Sequence, residues 1–255
     1  NLWPKEWAGM HDLVCVLVKA LYGHPRAGQF WEKHAATKLS EIGYKPIPGW
    51  KSCFFHPITK LVLVVYVDDF MMSGPEKEHE EAWKQINKVI EIDEPRTLDR
   101  FLGCHHTFKK EATGQKTCTF DMEQYLQQSV QMYLDASGLK FQDLKKVSTP
   151  FVTDDVLTDD DLTKKGELDS ECLSLVMKLL YAARIARPDL LRPVNELGRC
   201  VLKWTRACDK RMHRLFCYVQ SSLKHRLTAV GGDKKEDLEM HLYVDADLAS
   251  EKNDT

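Results

Sequence analysis

Two adjacent carboxylates, Asp68 and Asp69, interrupt a run of β-branched, aliphatic and aromatic residues in LVLVVYVDDFMMSG, positions 61–74. Such a pair can hold Mg²⁺, or Mn²⁺ in its place, because these hard cations take oxygen ligands, typically one or two carboxylates completed by water and substrate phosphates. Two ions held this way can activate an attacking hydroxyl and stabilise a leaving oxygen. Aspartate is also a favoured turn residue, and a bare Asp-Asp is most often a solvated turn. Tyr66 and Val67 before the pair, and apolar strands on either side, set this one apart. A strand-turn-strand hairpin fixes where its bend residues point and gives them a rigid platform.

Other residues invite chemistry less strongly. Cys104-His105-His106 suggests zinc, but adjacent ligands without a second pair at zinc spacing are better explained by alternation along a strand. Cys200, Cys208 and Cys217 fit helix interiors. Trp204, Phe216 and Tyr218 have the spacing of a helix core rather than of stacking platforms. From Arg184 to Arg226, eleven Lys or Arg stand against three acids, a surplus of eight. Arg199, Lys203, Arg206, Lys210, Arg211 and Arg214 from this set are candidate contacts to a nucleic-acid backbone, against the plain alternative of a charged helix surface.

The elements that must position these groups are legible in the apolar spacing. Ala27, Phe30, Trp31, Ala35, Leu39 and Ile42 predict an amphipathic helix between His24 and Gly43, with Gly43 as its cap. SCFFH, KLVLVVYV and FMMS predict strands, with the acidic pair at a hairpin bend. A helix follows over 76–92, with Trp83, Ile86, Val89 and Ile90 on one face. GCHHTFKKEATGQKTCTF predicts a second hairpin turning at Thr113-Gly114-Gln115. Asp121 is placed to cap a helix that Gly138 ends. Helices mixed with antiparallel strands, without regular βαβ alternation, give an α+β class. Between 154 and 171, eight Asp or Glu accompany two Lys and almost no large apolar side chain, which reads as an exposed acidic linker and a domain boundary.

The chain of 255 residues carries a net charge of −2, so a nucleic-acid surface would have to be local. Its eight cysteines include no C-x-x-C and suit a reducing, intracellular setting. No apolar run approaches the roughly 18 residues of a membrane span, so no membrane partner is expected. Asn1 at the start and a strand-like HLYVDADLAS near the end suggest an excerpt of a longer protein.

Tyr66-Val67-Asp68-Asp69 resembles the Tyr-x-Asp-Asp box of reverse transcriptases, in the form it takes in Ty1/copia-type retrotransposon Pol polyproteins. An ordered set of further segments resembles the same family: VCVLVKALYGHPRAGQFWEKH with Trp31, RTLDRFLGCHHTF, FDMEQYLQQSVQMYL, STP at 148–150, and LLYAARIARPDLLRPVNELGRCV. YVDADLAS is similar to the opening of the attached ribonuclease H domain.

The resemblance implies a palm, an antiparallel sheet with packed helices, followed by a mainly helical thumb and connection region. It divides the chain into partial fingers and palm (1–150), an acidic linker (151–171), a basic helical thumb/connection region (172–235) and the start of ribonuclease H (236–255). Asp68 and Asp69 would be the palm carboxylates for Mg²⁺, Tyr66 would lie under the primer end, and Leu102 and Gly103 would hold the primer strand. Asp245 would be the first metal carboxylate of ribonuclease H. Arg26 stands where the family has a nucleotide-contacting glutamine. A third family aspartate belongs on a strand N-terminal to these segments, and Asp12 is not assigned to it. The implied partners are an RNA template, a DNA primer, deoxynucleoside triphosphates and the rest of the Pol polyprotein, in the cytoplasm as a virus-like particle or in the nucleus. The implied function is RNA-directed DNA polymerase, with the isolated fragment expected to be inactive. The alternative is a decayed or domesticated element that binds nucleic acid or protein without chemistry.

Overall fold

A computed structural model describes residues 4–7, 9–12, 14, 21, 23–112, 114–232 and 235–244. The chain forms two compact units, Asn1–Leu98 and Asp99–Thr255. Among the described residues there are seven α-helices and two four-stranded antiparallel sheets, which is the mixed content expected of an α+β chain.

In the first unit, α1 (Ala27–Glu41) precedes β1 (Lys45–Pro46), β2 (Cys53–His56), β3 (Leu61–Tyr66) and β4 (Asp69–Ser73), and α2 (His79–Val89) follows. The strands pair in the order β1-β2-β3-β4. Alternation along β3 decides which face is covered: Leu61, Leu63 and Val65 are buried in one cluster with Ala35 and Leu39 of α1 and Ala82 and Ile86 of α2. Full burial of such a side chain stabilises by about 1.5–3 kcal/mol, so β3 is the best-anchored strand of the sheet. α1 ends where the spacing predicts. Gly43 takes φ 94° just beyond it, and a Cβ there would lie 2.7 Å from the His56 ring. Phe30, expected on the inner face, is exposed instead.

The second unit holds β5 (Arg100–Phe101), β6 (Cys104–Lys110), β7 (Lys116–Asp121), α3 (Glu123–Ser137), α4 (Asp159–Thr163), α5 (Cys172–Ile185), α6 (Leu191–Arg199), α7 (Arg206–Ser221) and β8 (Leu227–Gly231). Its strands pair in the order β5-β6-β7-β8. One hydrophobic cluster runs from Cys104 and Met122 through α3, α5 and α6 to Val219 of α7. Tyr133 and Phe216 stack within it, with ring centroids 4.3 Å apart. Of the three aromatics expected in a helix core, Phe216 of α7 is buried, Trp204 is buried but lies just before that helix, and Tyr218 is half-buried.

Three further features depart from the sequence expectation. Asp121 does accept a hydrogen bond from the Glu123 N–H at 2.7 Å, but Met122 occupies the cap position of α3. β8 lies within a region expected to be mainly helical, where no strand was placed; all five of its residues are exposed, so no apolar pattern announces it. The acidic segment is not uniformly exposed: Asp161 and Leu168 are buried. Thr158 caps α4 in a reciprocal exchange with Asp161. The Asp209 carboxylate accepts from the backbone N–H groups of Glu167 and Leu168 and from Trp204 Nε1. Polar contacts, invisible to hydrophobic periodicity, order this segment.

Candidate active site

β3 and β4 pair from Val62 opposite Ser73 to Tyr66 opposite Asp69, leaving Val67 and Asp68 as the two central turn residues. Val67 takes φ 51°, and Asp68 has no positive φ. That combination is the type II′ pattern, which matches the twist of a hairpin but ordinarily places Gly at the first central position. A β-branched residue with positive φ is a genuine outlier. Directly opposed residues share a face of the sheet, so Tyr66 and Asp69 project together, on the face opposite Leu61, Leu63 and Val65. Tyr66, Val67, Asp68 and Asp69 are all exposed. From α1, Trp31 Nε1–H donates to the Val67 carbonyl at 2.9 Å.

Asp68 and Asp69 are hard oxygen donors with no ion pair or side-chain hydrogen bond among the described residues. Two such carboxylates fit the protein's share of a Mg²⁺ site that substrate phosphate and water complete. Among the described residues no group of three or more His, Cys, Asp or Glu is arranged for a metal. Cys104-His105-His106 follows strand alternation: Cys104 is buried, His105 lies 3.7 Å from Asp99, and His106 packs edge-on against Phe120.

The second unit has a comparable turn. Phe101 pairs with Cys104, and between them Leu102 and Gly103 take φ 50° and 77°, the two positive values of a type I′ turn. Tyr181 of α5 donates its hydroxyl to the Leu102 carbonyl at 2.5 Å. Tyr181 packs against Tyr125, whose ring also lies beneath the Lys178 ammonium at 4.6 Å. Burial, and secondarily the neighbouring Tyr181, raises the Tyr125 hydroxyl pKa.

The structure divides the basic residues by use. Lys210 pairs with Asp161 at 2.5 Å, and Arg214 donates to the Thr149 carbonyl and hydroxyl. Arg187 is buried. Arg226 pairs with Asp121 and Glu123. Arg199, Lys203 and Arg206 are exposed and Arg211 is half-buried. Much of the positive surplus therefore serves architecture. Asp245 lies outside the described residues.

A family model described as reverse transcriptase (RNA-dependent DNA polymerase) matches residues 5–139, more than half of the chain and all of the Asp68–Asp69 hairpin. The chain belongs to the reverse transcriptase family. Its relatives are those of the copia type. It is 24% identical over 191 residues to a Ty5-1 transposon protein of Saccharomyces cerevisiae, covering 74% of this chain and 58% of that protein. It is 26% identical over 252 residues to the retrovirus-related Pol polyprotein from transposon RE2 of Arabidopsis thaliana, covering 95% of this chain and 16% of that one. The Pol polyprotein from transposon TNT 1-94 of Nicotiana tabacum is 22% identical over 255 residues, with 96% and 18% covered. The chain thus spans less than two thirds of each of these relatives. No solved structure matches.

In this reverse transcriptase chain, Arg26 occupies the cap position of α1 and is exposed, about 7.5 Å along the helix axis from Trp31. The Leu102-Gly103 turn belongs to the second unit and Asp68–Asp69 to the first. Sequence reasoning did not find the contacts from Trp31 and Tyr181 to the turn carbonyls. Spacing placed Trp31 on the apolar face of its helix, but nothing in spacing reports where an indole N–H points. No helix of the described residues is long and apolar enough to cross a membrane.

Proposed function

We propose that this chain supplies the palm carboxylates, and part of the nucleic-acid grip, of an RNA-directed DNA polymerase within a copia-type Pol polyprotein. The observation that carries the proposal is the exposed Asp68–Asp69 pair on a buried-strand hairpin, inside the region matched by the family. The family is generally divalent-metal dependent. Bound there, Mg²⁺ would activate a primer 3′-hydroxyl and stabilise the charge on the leaving pyrophosphate.

The chain's own residues would do the positioning. Asp68 and Asp69 would hold the metals, Tyr66 would support the primer end, and Arg26 would meet a triphosphate by charge. Leu102 and Gly103 would present their turn to the primer strand. Of the six basic candidates, the exposed Arg199, Lys203 and Arg206 would make the phosphate contacts. Residues 1–150 would then be fingers and palm, 172–235 thumb and connection, and 236–255 the opening of ribonuclease H, with Asp245 as its first metal carboxylate.

The test is binding to a poly(rA)·oligo(dT) duplex with and without Mg²⁺ and dTTP. Retention of dTTP that requires Mg²⁺ and is lost in Asp68→Asn and Asp69→Asn supports the proposal. Duplex binding that weakens with salt but ignores Mg²⁺, dTTP and both substitutions overturns it in favour of a non-catalytic nucleic-acid-binding module.

A further inference from the structure

We propose that Trp31 is a positioning residue for the carboxylate pair: its indole N–H locks the orientation of the Val67–Asp68 peptide and so fixes where Asp68 projects. This rests on the reading of Asp68 and Asp69 as metal ligands.

Three observations combine. The Val67 conformation, φ 51°, is one that its β-branched side chain disfavours. Val67 is 57% exposed, so burial of its own side chain does little to offset that preference. The carbonyl that Trp31 holds at 2.9 Å belongs to the central peptide of the turn. Rotation of that peptide is what interconverts type II′ and type I′ turns, and type I′ would drive Asp68 to positive φ. The hydrogen bond therefore acts on the degree of freedom that aims Asp68. The Trp31 ring packs against the first unit's core cluster and beside His34, so its single donor is held by an anchored helix rather than by the turn itself.

The test is Mn²⁺ affinity of the chain, read by the loss of the free-ion electron paramagnetic resonance signal. Trp31→Phe keeps an aromatic ring and removes the donor. It should weaken Mn²⁺ binding about 3- to 10-fold, the size of one net hydrogen bond. Val67→Gly in the Trp31→Phe background should restore most of that loss, because glycine adopts the first position of a type II′ turn without strain. A loss that glycine does not restore would mean general loosening of the core and would overturn the proposal. So would Trp31→Phe binding Mn²⁺ as the native chain does while Asp68→Asn/Asp69→Asn abolishes binding, a result that leaves the metal site standing. Binding unaffected by the double Asn change would overturn the metal site and the proposal together. A readout on the native chain needs no substitution: the Trp31 indole N–H should exchange with solvent slowly, and exchange as fast as that of an exposed indole would overturn the proposal.

Discussion

Removing the Arg187 guanidinium should destabilise the second unit more than any other single change to a basic residue. Arg187 is 1% exposed and makes four hydrogen bonds: Nε and Nη2 to the two Asp189 carboxylate oxygens at 2.9 and 2.7 Å, Nη1 to the Ser222 carbonyl at 3.0 Å, and Nη2 to Ser222 Oγ at 2.7 Å. Tyr218 adds a fifth bond, donating to Asp189 at 3.0 Å. Breaking a buried ion pair from one side costs about 3–5 kcal/mol. The Asp189 side chain is 34% exposed, so water recovers part of its solvation and the lower end, about 3 kcal/mol, applies to Arg187→Ala. Lysine keeps the charge but cannot reproduce the planar fork, and about 2 kcal/mol is expected for Arg187→Lys. In urea, with a slope of about 1–3 kcal/mol/M, the alanine change should lower the unfolding midpoint of this unit by at least ~1 M. Acidity supplies a second check. Burial raises the Asp189 pKa, but the contacts from Arg187 and Tyr218 more than offset it, and the net shift is downward. A depressed acid stabilises fully above its unfolded pKa and loses that contribution as pH falls through its folded value. The gap between native and Arg187→Ala stability should therefore narrow below about pH 4. A midpoint within 0.3 M of native at neutral pH, roughly 0.5 kcal/mol by the same slope, would refute the reasoning.

Further outcomes follow from the same structure. Contacts from Lys210 and Thr158 hold the Asp161 pKa down at about 2; protection of the α4 amides from hydrogen exchange should fade as pH falls from about 4 toward 2, and Asp161→Asn should abolish that dependence. At Gly166 a Cβ would lie 2.6 Å from the Thr205 carbonyl, 2.7 Å from the Asp209 carboxylate and 2.7 Å from the Trp204 ring. Gly166→Ala should therefore cost about 2–3 kcal/mol in urea unfolding followed by Trp204 fluorescence. If Arg199, Lys203 and Arg206 contact phosphates, replacing all three by Gln should reduce the slope of log affinity against log salt by about 2–3. An unchanged slope would show that those charges face only solvent.

Much of the fold was readable wherever burial is periodic. β3 alternates cleanly, α1 and α3 carry three- and four-residue spacing, and Gly43 and Gly138 end those helices, so the hairpin could be placed from residue types alone, although its bend falls one residue early, at Val67-Asp68, and Asp69 opens β4 instead of sharing the bend. Legibility failed where polar contacts or partners decide. The 154–171 segment has the composition of an exposed acidic linker, but Thr158, Asp161 and Asp209 satisfy backbone donors that the apolar pattern cannot report. β8 forms because β7 offers an edge, its register running from Lys116–Gly231 to Phe120–Leu227, and not because of its own sequence. The basic surplus was countable, but sign alone cannot separate Arg187, buried in a fork, from Arg199 at the surface. The bond from Trp31 to Val67 joins residues 36 positions apart through one nitrogen, below the resolution of any spacing rule.

Whether Asp68 and Asp69 together hold a divalent metal at the β3–β4 turn is decided most directly by titrating Mn²⁺ into the ¹⁵N-labelled chain and following paramagnetic broadening residue by residue. The amides of Val67 to Phe70 should broaden first, at substoichiometric metal, and Asp68→Asn/Asp69→Asn should remove this effect. Broadening centred on another part of the chain, or persisting at the turn in the double variant, would contradict a metal site built on these two carboxylates.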